Sequence, residues 1–420
     1  MAHKKVAIVG ATLLLTALAV AVRRRRKGKP KAEIRLLESD PIMGQEKYLG
    51  GTLGRNGRIY AIPGHHKRVM MIDPENGDAI SFIGPEFAGK YKWLRSVLGP
   101  DGAIYGIPCH ADSVLKIVPE TGEVTTIGGP FPGDWKWHGA VLASDGCIYG
   151  IPQFSEHVLK IDVAKQTCSL IGGPFLGRNK WYGGLMGSDG CIYGIPQNAD
   201  SVLKINPATQ ECTTLGQLPS GGWKWHGGNA TCGGDFIVGI PCHADTVLKI
   251  DVKAQKVLTV GGPLPGGKAR PDGKYKYLGG VMAQDGCVYC CPADADHVLK
   301  IDPATDECSL IGASLAGEEI VHTKWQNGFL GRDGCIYGIP LCGRTIMKID
   351  VDTQEVSTEG GPYVKLGKWE GGVVGNDGSL YCMPLGFKHV LKIKPHDLGP
   401  GAAKKGAGNQ NAWARGVAHD

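Results

Sequence analysis

The sequence has little that would support a helical or a nucleic-acid-binding protein. Only 7% of its 420 residues are aromatic and 20% are charged, with a modest net charge of +6. Apolar residues do not recur every 3.6 residues, which excludes helical solenoids, and glycine does not recur at every third position, which excludes collagen. Because no basic face with interleaved aromatics is found, we expect no nucleic-acid partner.

What the sequence does contain is a repeat. Its 65 glycines and 26 prolines are typical of short strands joined by tight turns. The motif Ile-Tyr-Gly-Ile-Pro has eight copies, 44 to 51 residues apart, with their prolines at Pro63, Pro108, Pro152, Pro196, Pro241, Pro292, Pro340 and Pro384. Each copy opens with lysine followed by Trp or Tyr, and these lysines are Lys47, Lys92, Lys136, Lys180, Lys224, Lys276, Lys324 and Lys368.

Each copy predicts four short strands, here labelled a to d from the central channel outward. In residues 180–217 they run from Trp181 to Met186, Cys191 to Ile195, Val202 to Ile205 and Cys212 to Leu215. A period near 44 with four strands is that of a propeller blade. We therefore predict an all-β fold, an eight-bladed β-propeller over residues 33–396. The eighth copy lacks its fourth strand, which residues 33–37 are expected to supply by closing the ring.

The blade layout of residues 47–396 resembles a broad class of propellers. The copies lack the Gly-His and Trp-Asp signature of WD40 repeats and are similar to the NHL, regucalcin-like and virginiamycin-lyase-like propellers. The last of these enzymes place His and Glu side chains at the channel mouth. A regucalcin-like lactonase would need several channel carboxylates, of which only Glu370 is found here.

The N-terminal region predicts a membrane anchor. After a tip of residues 1–5, residues 6–22 carry no charge and are long enough to cross a bilayer. Seven basic residues follow within the linker 23–32, so the propeller is expected in the cytosol, on an organelle or ER membrane, as a single-pass protein. The alternative is a cleaved signal and a secreted or lumenal protein. Residues 397–420 read as a disordered tail.

The loop after each motif proline carries a polar side chain four positions on. These residues are Lys67, Asp112, Glu156, Asp200, Asp245, Asp296, Arg344 and Lys388. Around a closed ring they form an acidic arc over blades 2 to 6 and a basic arc over blades 7, 8 and 1. Either each one makes a local turn or pairs with a nearby lysine, or together they form a docking face for a partner.

The eight lysines that open strand a would lie at the channel mouth. One interpretation makes their aromatic neighbours wedges between blades and the lysines solvated caps. The other makes the eight ammonium groups an attractor for an anion.

The residue after each aromatic differs between copies, and these residues are Leu49, Leu94, His138, Tyr182, His226, Leu278, Gln326 and Glu370. His138, His226 and Glu370 could bind a divalent metal or act as acid and base.

Two hypotheses for the function of the protein follow. The first is a membrane-tethered scaffold that binds a protein partner or small anion through its b–c and d–a loops, without a cofactor. The alternative is a metal-assisted lyase or hydrolase.

The fourteen cysteines are predicted to be free thiols. Three pairs, such as Cys191 and Cys212, recur 21 residues apart on strands b and d of one blade. Strand c lies between them, which puts their Cα atoms about 9 to 10 Å apart, beyond the reach of a disulfide. Free thiols in this number fit a reducing compartment.

Overall fold

The computed structural model of the protein describes residues 29–317 and 322–396. These residues form eight four-stranded antiparallel sheets, one for each sequence repeat. None of the described residues belongs to a helix with the length and apolar character of a membrane span. The predicted span 6–22, most of the basic linker and the predicted tail 397–420 lie outside the described residues.

The first four blades follow the repeats in order. Blade 1 contains β2 (Tyr48–Leu53), β3 (Ile59–Pro63), β4 (Val69–Asp73) and β5 (Ala79–Ile83). Blade 2 contains β6 (Trp93–Leu98), β7 (Ile104–Pro108), β8 (Val114–Val118) and β9 (Glu123–Ile127). Blade 3 contains β10 (Trp137–Leu142), β11 (Cys147–Pro152), β12 (Val158–Asp162) and β13 (Thr167–Ile171). Blade 4 contains β14 (Trp181–Met186), β15 (Ile192–Pro196), β16 (Val202–Asn206) and β17 (Glu211–Leu215).

The other four blades complete the ring. Blade 5 contains β18 (Trp225–Ala230), β19 (Phe236–Pro241), β20 (Val247–Asp251) and β21 (Lys256–Val260). Blade 6 contains β22 (Tyr277–Met282), β23 (Val288–Pro292), β24 (Val298–Ile301) and β25 (Cys308–Ile311). Blade 7 contains β26 (Trp325–Leu330), β27 (Cys335–Pro340), β28 (Ile346–Asp350) and β29 (Glu355–Glu359). Blade 8 contains β30 (Trp369–Val374), β31 (Leu380–Pro384), β32 (Leu391–Lys394) and β1 (Glu33–Leu36).

The blades are arranged around a central channel, as the repeat predicted. The a strands of successive blades pack against one another all the way round, and β30 packs against β2. Strands b are buried, as in β15, except that Phe236 at the start of β19 is half-buried, whereas the outermost strands are exposed or half-buried, as in β17. The four strands predicted for residues 180–217 match β14 to β17 to within one residue at either end.

The ring closes in blade 8, whose sequence repeat lacks a fourth strand. β1 pairs antiparallel with β32, with Glu33 opposite Lys394 and Leu36 opposite Leu391. The prediction of an N-terminal closing strand is confirmed. With this pairing, blade 8 has four strands, like each of the other blades.

The direction of the strands separates two faces of the propeller. One face, called here the turn face, carries the a–b and c–d turns, and the other, the loop face, carries the b–c and d–a loops. The chain reaches β1 from the turn face. There Lys29 lies 3.3 Å from Asp350 and 3.1 Å from Asp352, and Lys348 donates to the carbonyl of Pro30 at 2.8 Å.

On the turn face, a repeated hydrogen-bond chain joins four pairs of adjacent blades. In blade 3 the Tyr149 hydroxyl donates to Asp145 at 2.6 Å and accepts from Gln210 of blade 4 at 2.8 Å. Gln210 has a φ of 63°, in the left-handed region. The same pairing joins Gln166 to Tyr105, Gln255 to Tyr193 and Gln354 to Tyr289.

At the closing seam an aspartate replaces the glutamine. Asp78 of blade 1 is 4% exposed and accepts from the hydroxyl of Tyr381 in blade 8 at 2.6 Å. It also accepts from Lys392 of β32 at 2.9 Å and pairs with Arg35 of β1. One buried carboxylate therefore joins the first strand, the last strand and the first blade.

The cysteines are all free thiols, as predicted. Cys191 precedes β15 and Cys212 lies on β17, with β16 between them. Burial is the largest cause of the raised pKa of both thiols. They behave as small buried residues of the blade core.

Candidate functional site

The channel opens on the loop face, where strand a begins. In blade 4, Trp181 pairs with Pro196 but the next pair is Gly184 with Gly194, so the strand contains a β-bulge. Gly183 in this bulge has a φ of 76°, which glycine adopts without strain. The bulge falls immediately after the aromatic residue and brings the following side chain to the channel.

These side chains form an inner ring, with one member from each blade. The inner ring consists of Leu49, Leu94, His138, Tyr182, His226, Leu278, Gln326 and Glu370. Each is at most 8% exposed. These are the residues that the sequence analysis singled out because they differ from blade to blade.

Three aromatic members of the inner ring stack on one another. The ring of Tyr182 lies 3.8 Å from that of His138 and 4.0 Å from that of His226. Burial, followed by the nearby charge of Arg95, lowers the pKa of His138 well below its usual value and that of His226 to about 3. Both imidazoles are therefore neutral at neutral pH.

On the other side of the channel, Glu370 belongs to a buried ion pair. Its Oε1 lies 3.4 Å from a guanidinium nitrogen of Arg95 and accepts from Gln326 at 3.1 Å. Arg95 also donates to the carbonyl of Leu49. Burial raises the pKa of Glu370 and the Arg95 charge opposes that shift. Nothing in the repeat pattern indicated that an arginine of blade 2 reaches a carboxylate of blade 8.

The three residues of the lyase or hydrolase hypothesis therefore lie in one ring with different neighbours. His138 and His226 are on opposite sides of Tyr182, whereas Glu370 is bonded to Arg95 and Gln326. In residues 29–317 and 322–396, no three His, Cys, Asp or Glu side chains cluster as metal ligands. A general base works best with a pKa near the working pH, and that of His226 is far below neutrality.

The eight lysines of the repeat are buried, each at most 6% exposed. Lys92 donates to the carbonyl oxygens of Gly64, His66 and Gly89 at 2.8 to 3.0 Å. Two of these acceptors belong to the b–c loop of the preceding blade. The interpretation of the lysines as solvated caps is wrong, because all eight are buried. Six of them donate to backbone carbonyls of the preceding blade, namely Lys47, Lys92, Lys180, Lys224, Lys276 and Lys324.

The other lysines repeat this arrangement with small variations. Lys47 donates to the carbonyls of Gly44, Leu385 and Phe387 at 2.9 to 3.2 Å. Burial is the main cause that lowers the pKa of Lys47, Lys92 and Lys180 to about 8. The positive charges predicted at the mouth are present, but carbonyl oxygens already surround them.

A second layer of side chains borders the mouth above the inner ring. It consists of the residue before each lysine, which has a positive φ in every blade: Glu46, Tyr91, Trp135, Asn179, Trp223, Tyr275, Thr323 and Gly367. These are called the rim residues. Gly and Asn adopt this backbone conformation most readily, whereas bulky aromatics rarely do. Four half-buried aromatics at the rim therefore point to a use for their side chains.

The eight predicted docking residues occupy equivalent places on the loop face. In each blade the backbone carbonyl of this residue accepts from an amide of the following d–a loop, as when Phe131 donates to Asp112 at 2.7 Å. Some side chains make local pairs, since Asp245 lies 3.0 Å from Lys276 and Asp200 lies 3.8 Å from Lys224. Other members are exposed, including Asp112, Glu156 and Lys388.

Sequence reasoning missed a cleft in blade 1. It has a volume of about 680 Å³ and is lined by Met43, Gly44, Gln45, Lys47, His65, His66, Lys67, Arg68, Phe82 and Glu86. Its lining contains five basic side chains and one carboxylate. The available signal was the run from His65 to Arg68 after the motif proline, since no other copy has four consecutive basic residues there.

Several contacts hold the shape of the blade 1 cleft. The His66 ring stacks on Phe82 at 4.8 Å, and its Nδ1 lies 2.5 Å from the hydroxyl of Tyr48. Glu86 lies 3.1 Å from Lys67 and 3.9 Å from Arg68. Burial, as the largest cause, lowers the pKa of His65 and His66, so both gain charge only as the pH falls below neutrality.

Comparison with known proteins identifies the fold. No protein-family model matches the chain, and no curated protein matches it. A streptogramin B lyase is 15% identical, with a TM-score of 0.54, over 86% of this chain and 98% of that one. Virginiamycin B lyase from Staphylococcus aureus, in a catalytically inactive form with quinupristin, is 11% identical, with a TM-score of 0.54, over 86% and 99%. The Dos1 propeller is 9% identical, with a TM-score of 0.59, over 84% and 95%. At these identities the similarity shows the propeller fold alone.

Proposed function

We propose that the protein is a membrane-tethered binding module whose loop face engages an anionic ligand or an acidic protein partner at the blade 1 cleft. The observation that carries the proposal is the basic lining of this open cleft. Lysine and arginine bind phosphate and carboxylate groups through charge-assisted hydrogen bonds. Glu86 balances only part of the charge of Lys67 and Arg68.

The neighbouring surface extends the basic character of the cleft. Lys388 of blade 8 and Lys90 beside blade 1 are exposed. Met43, Val364 and Leu366 are exposed apolar residues on the d–a loops next to them, at 64%, 71% and 60%. Apolar groups rimmed by charge on a surface loop are typical of a protein contact.

The anion site can be tested with inorganic pyrophosphate as the probe. The double variant Lys67→Ala with Arg68→Ala should bind pyrophosphate at least about tenfold more weakly by isothermal titration calorimetry, because two charge-assisted contacts are lost.

Lys165→Ala with Lys253→Ala is the matched control, because it also removes two exposed lysines that each pair with one carboxylate, but these lie in c–d turns of the turn face, away from the cleft. It should bind within about twofold of the wild type, a difference well under 1 kcal/mol. Absence of binding to the wild type, or equal weakening by the control, would contradict the anion site.

The place where the chain enters the propeller at its N-terminal end supports the tether. Lys29 and Pro30 contact blade 7 on the turn face, so a chain arriving from residues 6–22 approaches the propeller opposite the loop face. An anchor there would leave the blade 1 cleft facing away from the bilayer and towards the cytosol.

This orientation predicts a protection pattern in intact organelles. With residues 6–22 as a cytosol-facing anchor, protease added outside should digest a C-terminal tag, and the protein should stay in the membrane after carbonate extraction. A tag that is digested only after detergent would place the propeller in a lumen. That outcome would support the cleaved-signal alternative.

A further inference from the structure

Three large apolar side chains are exposed on the loop face beside the blade 1 cleft. They are called here the apolar ridge and consist of Met43, Val364 and Leu366. Among the described residues, Leu176 in the loop before blade 4 is the only other large apolar residue that is more than half exposed. A single exposed apolar residue needs no explanation, but several in one place mark an interaction surface.

The two loops that carry the apolar ridge contact the same part of blade 8. In the loop between blades 8 and 1, the amide of Ile42, directly before Met43, donates to the carbonyl of Lys388 at 2.9 Å. In the loop between blades 7 and 8, the ammonium group of Lys365 donates to the carbonyl of Gly386, and the other two ridge residues flank this lysine. Both acceptors belong to the b–c loop of blade 8, so the ridge residues lie on either side of that loop.

The fold does not require large apolar side chains at these positions. In each d–a loop, one backbone amide donates to the b–c loop of the preceding blade, and Met43 and Val364 come directly after that amide. In the other six loops the same place is taken by Ala88, Pro132, Leu176, Pro219, Pro265 and Ala316. Five of these six residues are Ala or Pro, so the ridge is a local addition to the repeat.

Positive charge surrounds the apolar ridge and the cleft. The five loops that border them are residues 37–47, 64–68, 84–92, 360–368 and 385–390. They contain eight Lys or Arg residues and four Asp or Glu residues. Lys67, Arg68, Lys90 and Lys388 of this set are exposed. An acidic partner is favoured, because complementary charge speeds association and suppresses partners of like charge.

The shape and lining of the cleft favour a peptide over other anions. The cleft has a volume of about 680 Å³, and the apolar side chains of Met43 and Phe82 line it together with the basic residues. Pockets of roughly 300 to 1,000 Å³ usually enclose organic ligands. A bare phosphate group would leave the apolar side chains uncovered, and the flat surface of a bilayer would not enter the cleft. A peptide carries carboxylates and apolar side chains on one backbone and can contact both.

We propose that blades 8 and 1 together bind an acidic peptide segment of a partner protein. Its carboxylates contact Lys67 and Arg68 in the cleft, and its large apolar side chains pack on the apolar ridge. Met43 belongs to both the cleft and the ridge, so one bound segment covers the two. This inference rests on the proposed function and names the class of partner for the same site.

A random peptide library displayed on phage tests the proposal, with the full chain held in phosphatidylcholine nanodiscs. The selected peptides should combine Asp or Glu with at least one large apolar residue. Val364→Ser with Leu366→Ser should weaken the binding of a selected peptide at least about tenfold in fluorescence anisotropy, because the burial of two apolar side chains is lost. The same variant should bind pyrophosphate within about twofold of the wild type, because the basic residues of the cleft are unchanged.

Leu170→Ser with Leu176→Ser is the matched control for the ridge variant. It also removes two exposed apolar side chains, and Leu176 occupies the same loop position as Val364. Both leucines lie at or beside the outer strand of blade 3, away from the cleft. The control should bind the selected peptide within about twofold of the wild type.

The peptide proposal is overturned if no such peptides are selected, or if the ridge variant binds the selected peptide as tightly as the wild type. Association of the nanodiscs with phosphatidylserine vesicles that is lost in the ridge variant would also overturn it, in favour of a lipid surface. Pyrophosphate binding without selection of such peptides would leave the anion site intact, whereas absence of pyrophosphate binding contradicts the proposed function itself.

Discussion

Replacing Asp78 by asparagine should lower the free energy of unfolding by about 3 kcal/mol, the lower end of the range for breaking a buried ion pair. The carboxylate is 4% exposed and accepts hydrogen bonds from Tyr381 and Lys392. When the charged carboxylate of Asp78 is replaced by a neutral amide, the buried ammonium of Lys392 loses its main partner. The loss stays at the lower end because Asp377 still lies 3.0 Å from Lys392.

The effect can be measured by urea unfolding, with Asp306→Asn as the matched control. Asp306 occupies the same turn position in blade 6 and pairs with Lys249 of blade 5, but its side chain is 41% exposed. We expect the control to lose less than Asp78→Asn, because the carboxylate of Asp306 is partly solvated, whereas that of Asp78 is buried and bonds to groups on three strands. Equal losses in the two variants would show that the closing seam is no more sensitive than an internal one.

Most of the architecture was predictable because it is encoded eight times. The turn glycines, the motif prolines and the Lys-aromatic pairs each recur at a fixed place in the blade, so an error in one copy is corrected by the others. The closing strand was predictable for the same reason, since seven complete copies show what the eighth lacks. Residues 33–36 then form β1 opposite β32.

The buried lysines show what the same repetition could not reveal. A lysine followed by an aromatic residue predicts a surface position, because an isolated buried charge is costly. The cost is offset by the carbonyls of two loops, whose direction depends on backbone conformation rather than on side-chain identity. Lys92 is 3% exposed for this reason, and no residue type in the sequence indicates its three acceptors.

The candidate site likewise contains some features that the sequence predicted and others that it did not. The inner ring was predictable, because its members follow the aromatic residue in every copy and differ from blade to blade. The ion pair of Arg95 with Glu370 was not, because it joins residues 275 positions apart on blades that are not adjacent. The blade 1 cleft depends on the conformation of one loop, and the docking residues are partly used in local pairs such as Asp245 with Lys276.

The neutral state of His226 should make the stability of the propeller fall in acid. The folded protein holds the pKa of this imidazole at about 3, against about 6.5 for histidine in an unfolded chain. Between these values the unfolded state binds a proton that the folded state does not. The contribution of His226 is therefore complete above pH 6.5 and is lost as the pH falls, by about 1.4 kcal/mol per pH unit.

His226→Phe isolates this contribution, because phenylalanine keeps a ring beside Tyr182 but does not titrate. If the free energies of urea unfolding of the two proteins are matched at pH 7.5, the wild type should be less stable than the variant by about 2.7 kcal/mol at pH 4.5. Curves that stay parallel over this range would show that His226 titrates alike in both states. The difference between the curves is used because carboxylates also titrate below pH 5 and contribute equally to both proteins.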